Sequence, residues 1–242
     1  MTISVSPSES DTLKSLRTFL LSVLPLGTPV VEGQVNRVPE TGADDFVVMT
    51  EVRRTRLETN IDKFVDARFT ASISGPVMTV TEVDYGALKV GSVVFGVGLT
   101  NPTTVTALGT GHGGTGTYTV SPGQTVLSEV MAAGVLDALQ PIDFTIQLDV
   151  HGPSSADNAH IASTMLRDEY AVNAFASYGR DVVPLYAEDP LQVPFVNDQN
   201  QYENRWVVQS HLQVNATVDD IPQQFFESVV VGLIDVDAKY PP

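Results

Sequence analysis

The chain has 242 residues, 43% of them hydrophobic and 17% charged, enough apolar material for one large domain or two small ones and too much for a disordered chain. It contains no cysteine, which excludes a disulfide framework, a thiolate zinc site and a cysteine nucleophile. Its 29 acidic residues against 13 basic give a formal charge of -16, so its surface repels nucleic-acid phosphates and anionic lipid and is unsuited to a general DNA or membrane binder. The first apolar stretch, Phe19 to Leu26, is broken by Ser22 and Pro25 and falls far short of the roughly 20 residues a spanning helix needs. Residues 1–13 carry Glu9 and Asp11 where a secretory signal carries basic residues, so synthesis in the cytoplasm is expected.

Residues 10–24 predict an amphipathic helix, capped by Ser10 or Asp11, with Leu13, Leu16, Leu20, Val23 and Leu24 on one stripe. Pro25 and Gly27 end it. Val30–Val35 and Phe46–Leu57 read as strands, the second setting Arg53, Thr55 and Leu57 against Val52, Arg54 and Arg56.

Between Arg68 and Met131 the composition changes. Eleven of the 18 glycines lie there, and from residue 70 to 131 the charged side chains are Glu82, Asp84, Lys89 and Glu129. Short runs rich in Val, Thr and Ile (Phe69–Ile73, Val77–Val83, Ser92–Val97, Thr103–Leu108, Thr117–Val120, Thr125–Met131) are punctuated by turn residues, the pattern of a small β sandwich or barrel.

Beyond it, Asp143–Val150 alternates Phe144, Ile146, Leu148 and Val150 with polar partners, a half-buried strand ended by Gly152 and Pro153. A second helix is expected from Ser155 to Phe175, with Ile161, Met165, Val172 and Phe175 on its apolar stripe. Arg205–Val218 reads as a long strand. Asp219 and Asp220 read as a cap before a short turn from Pro222 to Glu227, and Val229–Val236 as a last strand. The expected fold is therefore α+β, a mostly antiparallel sheet with two main helices, plus an inserted all-β sandwich-like or barrel-like module. Residues 1–67 hold too few elements to close a core alone. They are expected to pack with 134–242 as one discontinuous core, with 68–133 as a β decoration inserted in a loop.

No catalytic constellation stands out. Gly109 to Gly116 contains a G-x-G-x-x-G, but a strand, Thr117–Val120, follows it where a phosphate site needs a helix, so a hairpin loop is the better reading. His151, with Asp149, Ser154 and Ser155 close in sequence, lacks the elbow a nucleophile requires. The four histidines show no metal-ligand spacing, and Asp235 and Asp237 share a strand face without a third ligand. No catalytic residue, metal or cofactor is expected. The basic residues are unevenly placed: eight of 13 precede residue 69, among them Lys14, Arg17, Arg37, Lys63 and Arg68, with Arg53, Arg54 and Arg56 concentrated on one strand. On an acidic body these three are candidates for a contact between subunits; the alternative is arginines solvated at a strand edge that discourage pairing.

Two resemblances follow from particular residues. The run Gly113-Gly-Thr-Gly-Thr-Tyr-Thr-Val-Ser121, with Phe69–Gly75 and Met78–Val83, resembles a glycine- and threonine-rich β domain that decorates tailed-bacteriophage virion proteins. The flanks, through Val31–Pro39, Asp45–Thr50, Arg56–Asn60, Phe144–Pro153 with Ala156–Asn158, and Trp206–Asn215, resemble the phage neck and tail terminator family. That resemblance implies a non-enzymatic virion protein at the neck, between head and tail, made in the host cytoplasm. It implies a homo-oligomeric ring, a hexamer, that caps the tail tube and joins it to the head-side connector, with DNA passing through the lumen without specific binding. The implied partners are the tail tube protein, connector proteins and, in a contractile tail, a sheath; no membrane is involved. In such a ring the β module is expected on the outside, clear of the docking faces and the lumen. A collar decoration or adhesin whose β module binds host surface glycans is the alternative.

Overall fold

The structure, a computed structural model, describes residues 3–33, 44–196 and 202–222. In chain order the elements are β1 (Ser4–Ser6), α1 (Glu9–Val23), β2 (Val30–Glu32), β3 (Phe46–Arg56), β4 (Ile61–Tyr85), β5 (Val93–Phe95), β6 (Thr103–Leu108) and β7 (Gly116–His151). There follow α2 (Ser155–Leu166), α3 (Glu169–Ser177), β8 (Val182–Ala187), β9 (Leu191–Gln192), β10 (Phe195–Val196), β11 (Tyr202–Glu203) and β12 (Arg205–Pro222). The chain divides into two compact units, one of Met1–Ile3, Lys63–Asp137 and Asp220–Pro242, the other of Ser4–Asp62 and Ala138–Asp219.

The second unit is a sheet covered by helices. Its strands run in the order β1-β12-β7-β3-β2, with β8 and β9 also paired to β12. β1, β8 and β9 pair antiparallel with β12 and β3 pairs antiparallel with β7, whereas β2 and β3 are parallel. Alternation along β7 sends Phe144, Ile146, Leu148 and Val150 to one face, where they meet Leu16, Phe19 and Leu20 of α1, Leu166 of α2 and Phe175 of α3. Phe19 and Phe175 are fully buried, with ring centres 5.6 Å apart. Burying side chains of this size contributes roughly 1.5–3 kcal/mol each, so this one face accounts for much of the unit's stability. The opposite face carries Asp143, Thr145, Gln147 and Asp149 of β7, the polar partners of the same alternation.

The described residues of the first unit form strands and loops. β5 pairs with β6 and β7, β6 pairs with β7, all antiparallel, and β4 pairs with β7. Its own core gathers Phe69, Met78, Val105, Tyr118 and Met131. β4 bends at Gly75, where φ is +59°, and Gly123 of β7 lies so close that a Cβ there would come within 2.8 Å of the Gly75 backbone.

Several expectations shift. Strands dominate the described residues, which hold three helices where two were expected. The expected helix Ser155–Phe175 is divided, because Asp168 leaves helical geometry and caps α3 by accepting from Tyr170 N. The first helix starts at Glu9 and is capped by Ser8, not by Ser10 or Asp11. The runs Phe69–Ile73 and Val77–Val83 are the two arms of β4, which folds back on itself between them so that Thr81 Oγ1 donates to the Thr70 carbonyl at 3.2 Å; Thr117–Val120, Thr125–Met131 and Asp143–Val150 all belong to β7. Asp219 and Asp220 lie in β12, which runs on to Pro222. Gln34, Val35, Arg37, residues 223–227 and the strand expected at Val229–Val236, with Asp235 and Asp237, lie outside the described residues.

Candidate functional site

The three arginines of β3 stand on two faces of the sheet. The strand pairs with β7 in register Glu51↔Ile146, Arg53↔Thr145, Arg54↔Phe144 and Arg56↔Ile142, with Val52 bulged out of the ladder. Arg54 and Arg56 therefore share the helix-covered face with Phe144 and Ile142, whereas Arg53 shares the polar face with Thr145. Arg54 is held within its own chain: Nε donates to Glu51 Oε1 at 2.6 Å, Nη2 donates to Glu51 Oε2 at 2.9 Å and to Glu9 Oε2 at 3.0 Å. Its guanidinium also lies 4.9 Å from the Phe144 ring centre. Hydrogen bonding to Glu51 raises its pKa above the ordinary arginine value, partly offset by burial. Arg56 Nη2 donates to Asn60 Oδ1 at 2.5 Å. Arg53 is exposed and makes no ion pair among the described residues.

Other basic residues of the first 68 are occupied separately. Arg17 Nε donates to the Val30 carbonyl at 2.8 Å, and Arg68 pairs with Asp84 at 3.2 Å. Arg37 lies outside the described residues.

The polar face of the second unit holds a row of fixed charges that the sequence reading did not single out. Asp149 Oδ1 accepts from Arg205 Nε at 2.9 Å and Nη2 at 2.6 Å, and both its oxygens accept from Gln147. His211 Nδ1 lies 2.9 Å from Asp143 Oδ2, its Nε2 lies 3.7 Å from Glu188 Oε1, and its ring stacks on Tyr186 at 4.2 Å. The signal was available: every second residue from Asp143 to Asp149 is polar, although their partners on β12 and β8 lie more than forty positions away.

The residues weighed for catalysis do not converge. Asp149 is committed to Arg205, while His151 stacks on Phe46 at 4.6 Å. The Ser154 amide donates to Asp45, and Ser155 is buried. The glycine loop joins β6 to β7, closed by Tyr118, whose hydroxyl accepts from Gly113 N at 3.0 Å and donates to the Gly114 carbonyl at 2.5 Å. Burial pushes the Tyr118 phenol above its ordinary pKa. Among the described residues no group of three or more acidic or histidine side chains is placed to hold a metal, and no helix is long and apolar enough to cross a membrane.

What the geometry offers is an acidic scaffold in which most of the described arginines are bonded within the chain, with Arg53 left at a strand margin. A model of the phage neck terminator protein family matches residues 101–237. The chain belongs to that family. It is thereby a structural protein of the phage neck, a virion component with partners on the head or tail side and a place in an oligomeric assembly. No curated protein matches the chain. The matched stretch begins inside the glycine-rich segment and continues through β7, the helices and β12.

Proposed function

We propose that copies of this neck terminator close into a ring, a hexamer, that caps the tail tube at its final length and joins it to the head-side connector. DNA passes through the lumen. Family membership over residues 101–237 is the observation that carries this reading. The charge of -16 supports it, since a conduit whose wall repels phosphate does not hold the passing genome. Arg53, Arg54 and Arg56 are proposed as subunit-interface residues, with Arg53 and Arg56 the more available because Arg54 is held by Glu9 and Glu51.

In this reading residues 68–133 are a β decoration inserted into a core of 1–67 and 134–242. The reading is supported by the composition of that segment, rich in glycine and nearly free of charge. Of the module's aromatics, Phe69 and Tyr118 are buried at 0% and 1% exposure and Phe95 is half-buried, which leaves Tyr85, 57% exposed, as the one open ring for a glycan.

Loss of the chain from an infection tests the function. Tails are expected to overgrow or remain unjoined to heads, and supplying either the full chain or one lacking 68–133 is expected to restore joined tails of normal length. Normal joined particles without the chain would overturn the terminator role. Rescue by the full chain alone would overturn the decoration reading.

A further inference from the structure

Two margins of the sheet in the unit of residues 4–62 and 138–219 are open among the described residues, and they are opposite in charge. β2 covers β3 over Val47–Met49, leaving residues 51–56 of β3 with β7 as their strand partner on one side. On this margin Val52 and Leu57 are 52% and 48% exposed, and Arg53 and Arg56 are exposed. The other margin is β8 and β9, which pair with β12. There Leu185, Tyr186 and Leu191 are 41%, 47% and 65% exposed, and the Glu188 and Asp189 side chains 52% and 90%.

Both open stretches are about 20 Å long at the usual rise of a strand. In the order β8-β12-β7-β3 they lie three strand spacings apart, about 14 Å, beyond the range of about 8 Å over which exposed charges act in physiological salt. The opposite charges of one copy therefore do not neutralise each other.

The charges also correspond face by face. Glu188 reaches His211 on the polar face, where Thr145 Oγ1 lies 3.4 Å from His211 Nδ1 and where Arg53 stands opposite Thr145. Asp189 accepts from Arg167 Nη2 at 2.7 Å just past α2, on the helix-covered face, where Arg56 stands opposite Ile142. Each face thus has an arginine on one margin and a carboxylate on the other, Glu188 beside His211 and Asp189 shared with Arg167.

We infer that the β3 margin of one copy docks on the β8–β9 margin of the next, placing Arg53 near Glu188 and Arg56 near Asp189. This rests on the ring reading above and specifies its contact. The two surfaces differ, so the contact is head-to-tail and repeats around a ring. Pro184 lacks an N–H and Val52 is bulged, so side chains and not a continuous backbone ladder join the margins. Val52, Leu57, Leu185, Tyr186 and Leu191 supply the buried area. The charges select the partner and its register.

Charge reversal tests the pairing. R53E/R56E leaves a copy with two acidic margins and E188R/D189R a copy with two basic margins. Each alone is expected to lose the oligomer at concentrations where the wild-type chain forms it. An equimolar mixture is expected to recover it as an alternating ring with an even number of subunits, read by native mass spectrometry. Unchanged circular dichroism shows that each variant folds; R53E with E188R is a milder pair, since Arg53 has no ion pair to lose among the described residues. Rings formed by either folded variant alone, or a mixture that stays monomeric, overturn the docking and leave the ring reading standing. A wild-type chain that forms no ring overturns both.

Discussion

Ser8 and Asp11 cap α1 reciprocally. Ser8 Oγ accepts from Asp11 N at 3.2 Å, and Asp11 Oδ2 accepts from Ser8 N at 3.3 Å and Ser8 Oγ at 2.7 Å. These bonds hold the Asp11 carboxyl below its ordinary value of 3.8, with Arg180 and Lys14 adding smaller attractions. The stability this gives is whole above that ordinary value and is lost as pH falls through the lowered one. Ser8→Ala is expected to cost about 1 kcal/mol near neutral pH, measured by denaturant unfolding. The difference between variant and wild type should shrink in acid as Asp11 takes up its proton. A difference that stays constant below that value would contradict the account. The Ser-x-x-Asp signature was legible at Ser8, but Ser10 and Asp11 are equally good capping types, and local chemistry alone does not choose among them. Arg54 shows the complementary limit: three positions apart on a strand, Glu51 and Arg54 would face opposite sides, and only the bulge at Val52 brings them together, just as the bond to Glu9, across 45 positions, follows only from the packing of the chain.

At the scale of elements, periodicity identified α1, β3 and the polar and apolar faces of β7, because each buries one stripe or face and leaves the other wet. Breaks within an element were harder to read. Gly75 and Pro76 read as a strand end, and although the extended backbone of β4 is unbroken the chain folds back there, bringing Thr81 onto the Thr70 carbonyl at 3.2 Å and Asp84 beside Arg68. Asp168 looked like one polar residue on a helix, yet it ends one helix segment and caps the next. That turn sets Phe175 against Phe19 of α1 and Tyr178, at 5.6 Å from each. Phe175→Ala should remove about 3–5 kcal/mol of stability, seen as a lowered unfolding midpoint. A loss below about 1 kcal/mol would mean that α3 is not a fixed part of this core.

For the whole molecule, charge and family agree about setting. A chain of -16 with no cysteine reads as an acidic scaffold without thiol chemistry, and its family places it in the phage neck. The sequence made the arginine strand visible as a candidate contact. It did not reveal the facing margin, because Glu188, Asp189 and Leu191 are ordinary residues until β8 and β9 are set along the outer side of β12. The central claim is that this acidic chain associates with itself into a closed ring. The most direct measurement is native mass spectrometry of the purified wild-type chain, with negative-stain images of the same sample. The account predicts one dominant mass at six times that of the 26.0 kDa chain and ring-shaped particles with an open centre. A single monomeric mass at every concentration, with no rings in the images, would contradict it.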